Sequence, residues 1–350
     1  KLLSINHYIF YELRSMLLLL VDEKGYCCFV VDKDSCAAPD DPYFTSCRYI
    51  FKSISEKCFL WMAAVAIICI NIFVSLCNFY IGHRSTQSMF VNVLSFGDLL
   101  YGVYLGILGG ADIYYWQIFQ AEKPKWLQSL VCLTASLVFT VSLLTSAAFI
   151  TFIAVDRLYI FGTSSLQSRG LPKVLKRVLL SFYGIASAAC VAAVSYNHMI
   201  HNVNNSFCLP FSFTLPTDVT SVVSLISIIL LLSLLIIIMA IYIKVFLTVK
   251  HTESSVKSVS TGKGKARVVA SRGFIVVLSA FISWFPLIII GIVGASGIEI
   301  SMDIMSWTII LLIPCNCVVN PVSYSVLSTN FKNLFFKRKG TTSSRSKDTR

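Results

Sequence analysis

Seven long apolar runs constrain this chain more than any other feature. They lie at about Cys58–Tyr80, Met89–Gly110, Leu130–Ile153, Val178–Tyr196, Val219–Phe246, Val268–Gly294 and Ser306–Leu327. Each is near or above the roughly 20 residues that an α-helix needs to cross a bilayer. In lipid every backbone N–H and C=O must be satisfied within the chain, and a run of this length does so as a helix. Only 13% of the 350 residues are charged and 56% are hydrophobic, against about 25% charged in a soluble domain. The expected fold is an all-α membrane bundle of seven helices.

A net charge of +12 would suit nucleic acid, but its placement argues for a membrane. Basic residues cluster after the third run (Arg169, Lys173, Lys176, Arg177) and after the fifth (Lys250, Lys257, Lys263, Lys265, Arg267). They cluster again after the seventh (Lys332, Lys337, Arg338, Lys339, Arg345, Lys347, Arg350). The opposite loops carry Asp112, Glu122, Asp218, Glu299 and Asp303, with Lys123 and Lys125 as their basic residues. Lys/Arg bias marks the cytoplasmic side, so the N-terminus is expected outside and the C-terminus inside. No nucleic-acid partner is expected.

Residues 1–20 do not read as a signal peptide, because Tyr8, Glu12 and Arg14 interrupt any apolar core. The spacing of Leu2, Ile5, Phe10, Leu13, Met16 and Leu19 reads instead as one leucine-rich repeat over 1–24. An amphipathic lead-in helix is the competing reading. A lone repeat cannot bury its own face, so the chain is expected to be the end of a longer one. Residues 25–57 form a Cys-rich hinge. Adjacent cysteines rarely bond each other, so Cys27 and Cys28 are expected to pair with Cys36 and Cys47, in either order. Cys132 and Cys208 both fall at the outer side and form the natural second clamp, an oxidising location suited to disulfides.

Several polar residues interrupt the runs. Asp98 is the one carboxylate near the middle of a span, and an ionisable group at that depth is a functional candidate. Asp156-Arg157 ends the third run and reads equally well as an interfacial anchor or a functional pair. Pro286 and Pro321 are expected to kink the sixth and seventh helices; a structural kink explains either alone equally well. Asn204-Asn205-Ser206 is a glycosylation sequon in an outside loop. The stretch Lys250–Ser271 reads as a solvated loop. Beyond the bundle (58–327), residues 328–350 hold an amphipathic helix with Phe331, Leu334 and Phe335 on one face, suited to membrane lipid. Its tail carries six Ser/Thr over 341–349.

Taken together, Ser283-Trp284-Phe285-Pro286, Asn320-Pro321-Val322-Ser323-Tyr324, Tyr26-Cys27-Cys28-Phe29, Phe207-Cys208-Leu209-Pro210-Phe211, Asn71-Ile72-Phe73-Val74, Gly109-Gly110-Ala111-Asp112 and Pro314-Cys315-Asn316 resemble the leucine-rich-repeat-containing G-protein-coupled receptors. The fifth run has no proline, which also looks like that family, and Asn71 with Gly109-Gly110 leans toward its relaxin-receptor-like subgroup. The resemblance implies a plasma-membrane receptor for an extracellular peptide or protein hormone. N-terminal repeats would capture the hormone, and the bundle would signal to a heterotrimeric G protein, with Gs and cyclic AMP as output and arrestin as a further partner. Arg157 would release from Asp156 on activation, supported by Tyr242 and Tyr324. Asp98, Ser146, Asn316 and Asn320 would line a hydrated pocket that can hold Na⁺, with Trp284 as the switch at its floor. Beyond that ion no metal is implied, and neither a cofactor nor a catalytic residue.

The chain also departs from the family. Ala280 stands where an acidic residue often restrains Asn320, Leu144 replaces an acidic residue of the third helix, and Cys317 replaces a common Ser of the ion pocket. No Asp or Glu lies between Ser254 and Ile298 to face Arg157. Such restraints are charge-assisted hydrogen bonds, worth about 1.5–3 kcal/mol each, so signalling without ligand is expected. Other seven-helix proteins fit less well. A retinal protein needs a lysine in the seventh run, which has none. A secondary transporter should show an internal repeat and several midplane polar sites. An intramembrane enzyme should show paired carboxylates, HExxH or a Ser–His pair in the spans, and there are none.

Overall fold

The computed structural model describes residues 19–20, 27–28, 36–37, 46–81, 86–162, 171–200, 205–210, 219–255, 260–298 and 300–323. Its helices are α1 (Ile54–Ile81), α2 (Thr86–Tyr114), α3 (Phe119–Gln128), α4 (Leu130–Gly162), α5 (Lys173–Ile200), α6 (Val219–Ser255) and α7 (Ser260–Ala295). They are followed by α8 (Met302–Trp307), a π-helical turn over Thr308–Leu312, and α9 (Ile313–Pro321). Among the described residues, seven spans are long and apolar enough to cross a membrane, the seventh being Met302–Pro321, which runs through α8, the π turn and α9. The fold is the expected all-α bundle, with one small addition: Leu19–Leu20 pairs in parallel with Cys36–Ala37. The repeat expected over 1–24, apart from 19–20, and Asn204, Tyr324 and the segment 328–350 lie outside the described residues.

Local chemistry sets where the first span begins. The Ser53 N–H donates to Glu56 Oε2 at 2.8 Å, and the Glu56 N–H donates to Ser53 Oγ at 3.1 Å. This reciprocal pair is a capping box, which satisfies helix N–H groups that have no partner in the first turn. Its carboxylate also complements the positive end of the helix dipole.

Packing then closes the ring. α1 lies on α2, α2 on α4, α4 on α5 and α6, α6 on α7, and α7 on α9, which returns to α1 and α2. α1 approaches α2 closely at Gly102, where a Cβ would come within 2.8 Å of Ile68 Cγ1 and 3.2 Å of Ile67 Cγ2. Small residues permit such approach where lipid offers no hydrophobic drive between helices. The second and third spans form the centre, being 56% and 61% buried, whereas none of the fourth is.

Two elements differ from the sequence expectation. The stretch 250–271 is not all loop: α6 continues to Ser255 and α7 starts at Ser260. Lys, Ser and Gly signal solvation there, but an emerging span keeps its backbone bonded simply by adding turns. α3 stands between the second and third spans as an extra helix; it buries Phe119 and Trp126 and turns an ion pair outward, Lys125 Nζ to Glu122 Oε2 at 2.8 Å.

Candidate functional site

The middle of the bundle holds a polar core built by three elements. Asp98 on α2 is fully buried. Ser146 Oγ on α4 donates to its Oδ1 at 2.9 Å, and Asn320 Nδ2 on α9 donates to its Oδ2 at 3.2 Å. Cys317 is buried beside the same carboxylate. Asn316 is buried as well, but its Oδ1 accepts from Ser279 Oγ of α7 at 3.3 Å. Asn71 Nδ2 donates to Cys317 O at 3.1 Å and to Ile67 O at 3.0 Å, tying α1 to α9. Thus the structure brings Asp98, Ser146 and Asn320 into one cluster and sets Asn316 beside it.

Among the described residues, Asn320 Oδ1 and Asn71 Oδ1 are buried without a hydrogen-bond partner, and so are Ser283 Oγ and Trp284 Nε1 on α7. Buried polar atoms left open in this way call for water or an ion. Carboxylate, hydroxyl and amide oxygens suit a small hard cation, so Asp98, Ser146 and Asn320 fit Na⁺; the soft thiol of Cys317 does not contribute to that preference.

Trp284 is packed on α7 with Ala147, Ile228, Leu235 and Ile288, two residues ahead of Pro286, which stands inside the helix. Ala280, one turn below, is an apolar core position facing the cluster that holds Tyr242, Ile150, Ile153, Val276 and Val277. Pro321 closes α9. At the end of the bundle opposite the hinge Asp156 is buried, and its Oδ1 accepts from the Leu171 N–H at 3.0 Å. Among the described residues no ion pair joins Asp156 to Arg157. The carboxylate that the resemblance assigns to the arginine instead fastens the loop entering α5.

The end of the bundle that meets the hinge carries a residue with no sequence signature of its role. Asp112, at the top of α2, is buried; its Oδ1 accepts from the Ile50 N–H at 2.8 Å and the Phe51 N–H at 3.0 Å. Its Oδ2 meets Lys57 Nζ at 3.0 Å, and that ammonium lies 3.6 Å from the Tyr49 ring centroid. Ile50 and Phe51 are thereby sunk into the bundle mouth, the Phe51 ring 5.5 Å from Phe207. Cys28–Cys47 and Cys132–Cys208 are disulfide-bonded, and Cys27 is also disulfide-bonded. Asp112 read as one acidic loop residue among several because its partners are backbone N–H groups some sixty positions away. The faint signal was a lone Asp directly after Gly109-Gly110-Ala111.

Residues 70–324 match the family of 7 transmembrane receptors (rhodopsin family). The chain belongs to that family. It is a receptor and not an enzyme. This receptor is 26% identical over 336 residues to G-protein coupled receptor GRL101 of Lymnaea stagnalis, covering 94% of the present chain and 30% of that protein. It is 24% identical over 284 residues to relaxin receptor 2 of Canis lupus familiaris, covering 79% of this chain and 38% of that one. It is 26% identical over 301 residues to leucine-rich repeat-containing G-protein coupled receptor 4 of Rattus norvegicus, covering 84% and 30%. The receptor chain therefore spans about a third of the length of these relatives.

Proposed function

We propose that this receptor answers an extracellular peptide or protein hormone captured by leucine-rich repeats N-terminal to the bundle, and that it passes the signal to a heterotrimeric G protein, Gs raising cyclic AMP. One observation carries the reading. The mouth of the bundle is filled by the protein's own Ile50, Phe51, Phe207 and Leu209, all buried, and Asp112 holds the segment that enters it. A ligand held outside can act on the bundle by shifting that segment, without entering the helices. The similarity to relaxin receptors and to a leucine-rich repeat-containing receptor supports the same class of ligand. Lys/Arg placement and the disulfides near the N-terminal side support an extracellular N-terminus at the plasma membrane and a cytoplasmic C-terminus. Arrestin would be met by the Ser/Thr tail, and lipid by the segment after the seventh span.

Inside the bundle, Arg157 with Tyr242 and Tyr324 would engage the G protein, and Trp284, Pro286, Asn320 and Pro321 would supply the moving joints. Na⁺, when bound, would supply a positive charge against Asp98, held by Asp98, Ser146 and Asn320. Asp156 holding the Leu171 N–H and Ala280 in place of a carboxylate support weak restraint of the resting state. Ligand-independent cyclic AMP in cells, compared with an Arg157→Ala receptor, tests this. A raised signal lost in the variant is expected. Cyclic AMP, calcium and arrestin readouts all at mock level, with surface expression established, would falsify the reading of weak restraint.

A further inference from the structure

The seventh span is interrupted by its π turn, in which the Ile313 N–H reaches back to Thr308 O. The next donor along should serve Ile309 O, but that residue is Pro314 and has no N–H. Ile309 is fully buried, and an unpaired carbonyl is costly in such a place. The vacancy is filled from another helix: the Tyr101 hydroxyl of α2 donates to Ile309 O at 2.8 Å. Tyr101 is itself fully buried and sits one turn from Asp98 on the same helix. α2 thus grips the seventh span twice, at Ile309 within the π turn and at Asn320 beyond it.

We propose that Tyr101 is the positioning residue of the polar core: its hydroxyl holds the π turn open, and the open turn sets Cys317 and Asn320 to face Asp98. A π turn takes in one residue more than an α turn. Closing it would rotate everything below by about 100° around the helix axis. That rotation would carry Cys317 and Asn320 off the carboxylate. Tyr104 provides a matched contrast on the same helix. Its ring packs 5.6 Å from that of Tyr101, but its hydroxyl goes to Phe207 O of the outer loop at 3.0 Å. The proposal needs neither the hormone nor the G protein to be known.

Cys317 is itself the reporter, being buried against Asp98. In the receptor with Cys58, Cys69, Cys77, Cys190 and Cys315 replaced by Ala, the rate at which N-ethylmaleimide labels Cys317 in membranes is measured by mass spectrometry. Tyr101→Phe, which removes one oxygen, is expected to change that rate about tenfold, the scale of one lost hydrogen bond to a buried group. Tyr104→Phe should change it by less than about twofold, since its hydroxyl serves another segment. On a Pro314→Ala background, where residue 314 has an N–H to give, Tyr101→Phe should have little further effect. An unchanged rate in Tyr101→Phe, or the same change with and without Pro314, overturns the proposal. If Tyr101→Phe does not reach the cell surface, Pro314→Ala is expected to restore it, and failure to restore it overturns the proposal equally.

Discussion

Asp112 illustrates how one side chain can organise a region through groups that carry no sequence signature. It satisfies two adjacent backbone N–H groups and one lysine. The magnitudes decide which of these matters. Leaving a buried N–H unpaired costs about 1–3 kcal/mol, whereas an ion pair near the surface is worth about 0–1 kcal/mol. Asp112→Ala, which strands both N–H groups, is therefore expected to lower the thermal unfolding midpoint of the detergent-purified receptor more than Lys57→Met does. Asp112→Asn retains an acceptor and should fall between them. The ranking fails if Lys57→Met proves as damaging as Asp112→Ala. In the polar core the same logic operates with fewer satisfied atoms: Asp98 is matched on both oxygens, while Asn320 keeps one buried oxygen open.

At the level of elements, close approach of helices depends on what is missing from side chains. A Cβ on Gly291 of α7 would run into the Ile228 side chain of α6, so these two helices meet where there is no room for a methyl group. Ala is better than Gly in a helix by about 0.8–1 kcal/mol, but overpacking costs about 1–3 kcal/mol. Gly291→Ala alone is thus expected to destabilise the receptor. On an Ile228→Ala background the clash disappears and only the propensity gain remains, so the same substitution should stabilise. A denaturation series on the four receptors reads the sign change, and the same sign in both backgrounds would refute the packing account. The π turn before Pro314 belongs to this scale too. A proline in the seventh span could be read from the chain, but whether the helix answers with a kink or with an extra residue depends on a hydroxyl from α2.

For the whole molecule, the bundle is closed at the end nearest the hinge by the bond between Cys132 at the start of α4 and Cys208, 76 positions later. On a free chain a loop of that length gives about 4.5 kcal/mol of stabilisation. The spans already hold its ends at one membrane face, so the gain here is smaller. Replacing both cysteines by Ala is expected to reduce surface expression and the unfolding midpoint, with Cys28→Ala/Cys47→Ala affecting the bundle less; the reverse order would show that the hinge rather than the outer loop holds the helices. The number of spans, the class of fold and Asp98 as the buried carboxylate were legible in the residues, because lipid permits few backbone solutions and makes charge at depth conspicuous. Cys132–Cys208 was legible from compartment. The pairing of Cys28 with Cys47 was not, since either order satisfied the spacing. The sequence by itself determined that the chain crosses a membrane seven times and belongs among receptors. Tertiary structure alone decided that Asn320 meets Asp98 while Asn316 turns to Ser279, that Asp156 holds the Leu171 N–H, and that Asp112 holds Ile50 and Phe51. The physical reason is that these spans are apolar on nearly every side. Hydropathy therefore says how many helices there are, and only packing against neighbours says which way each one faces.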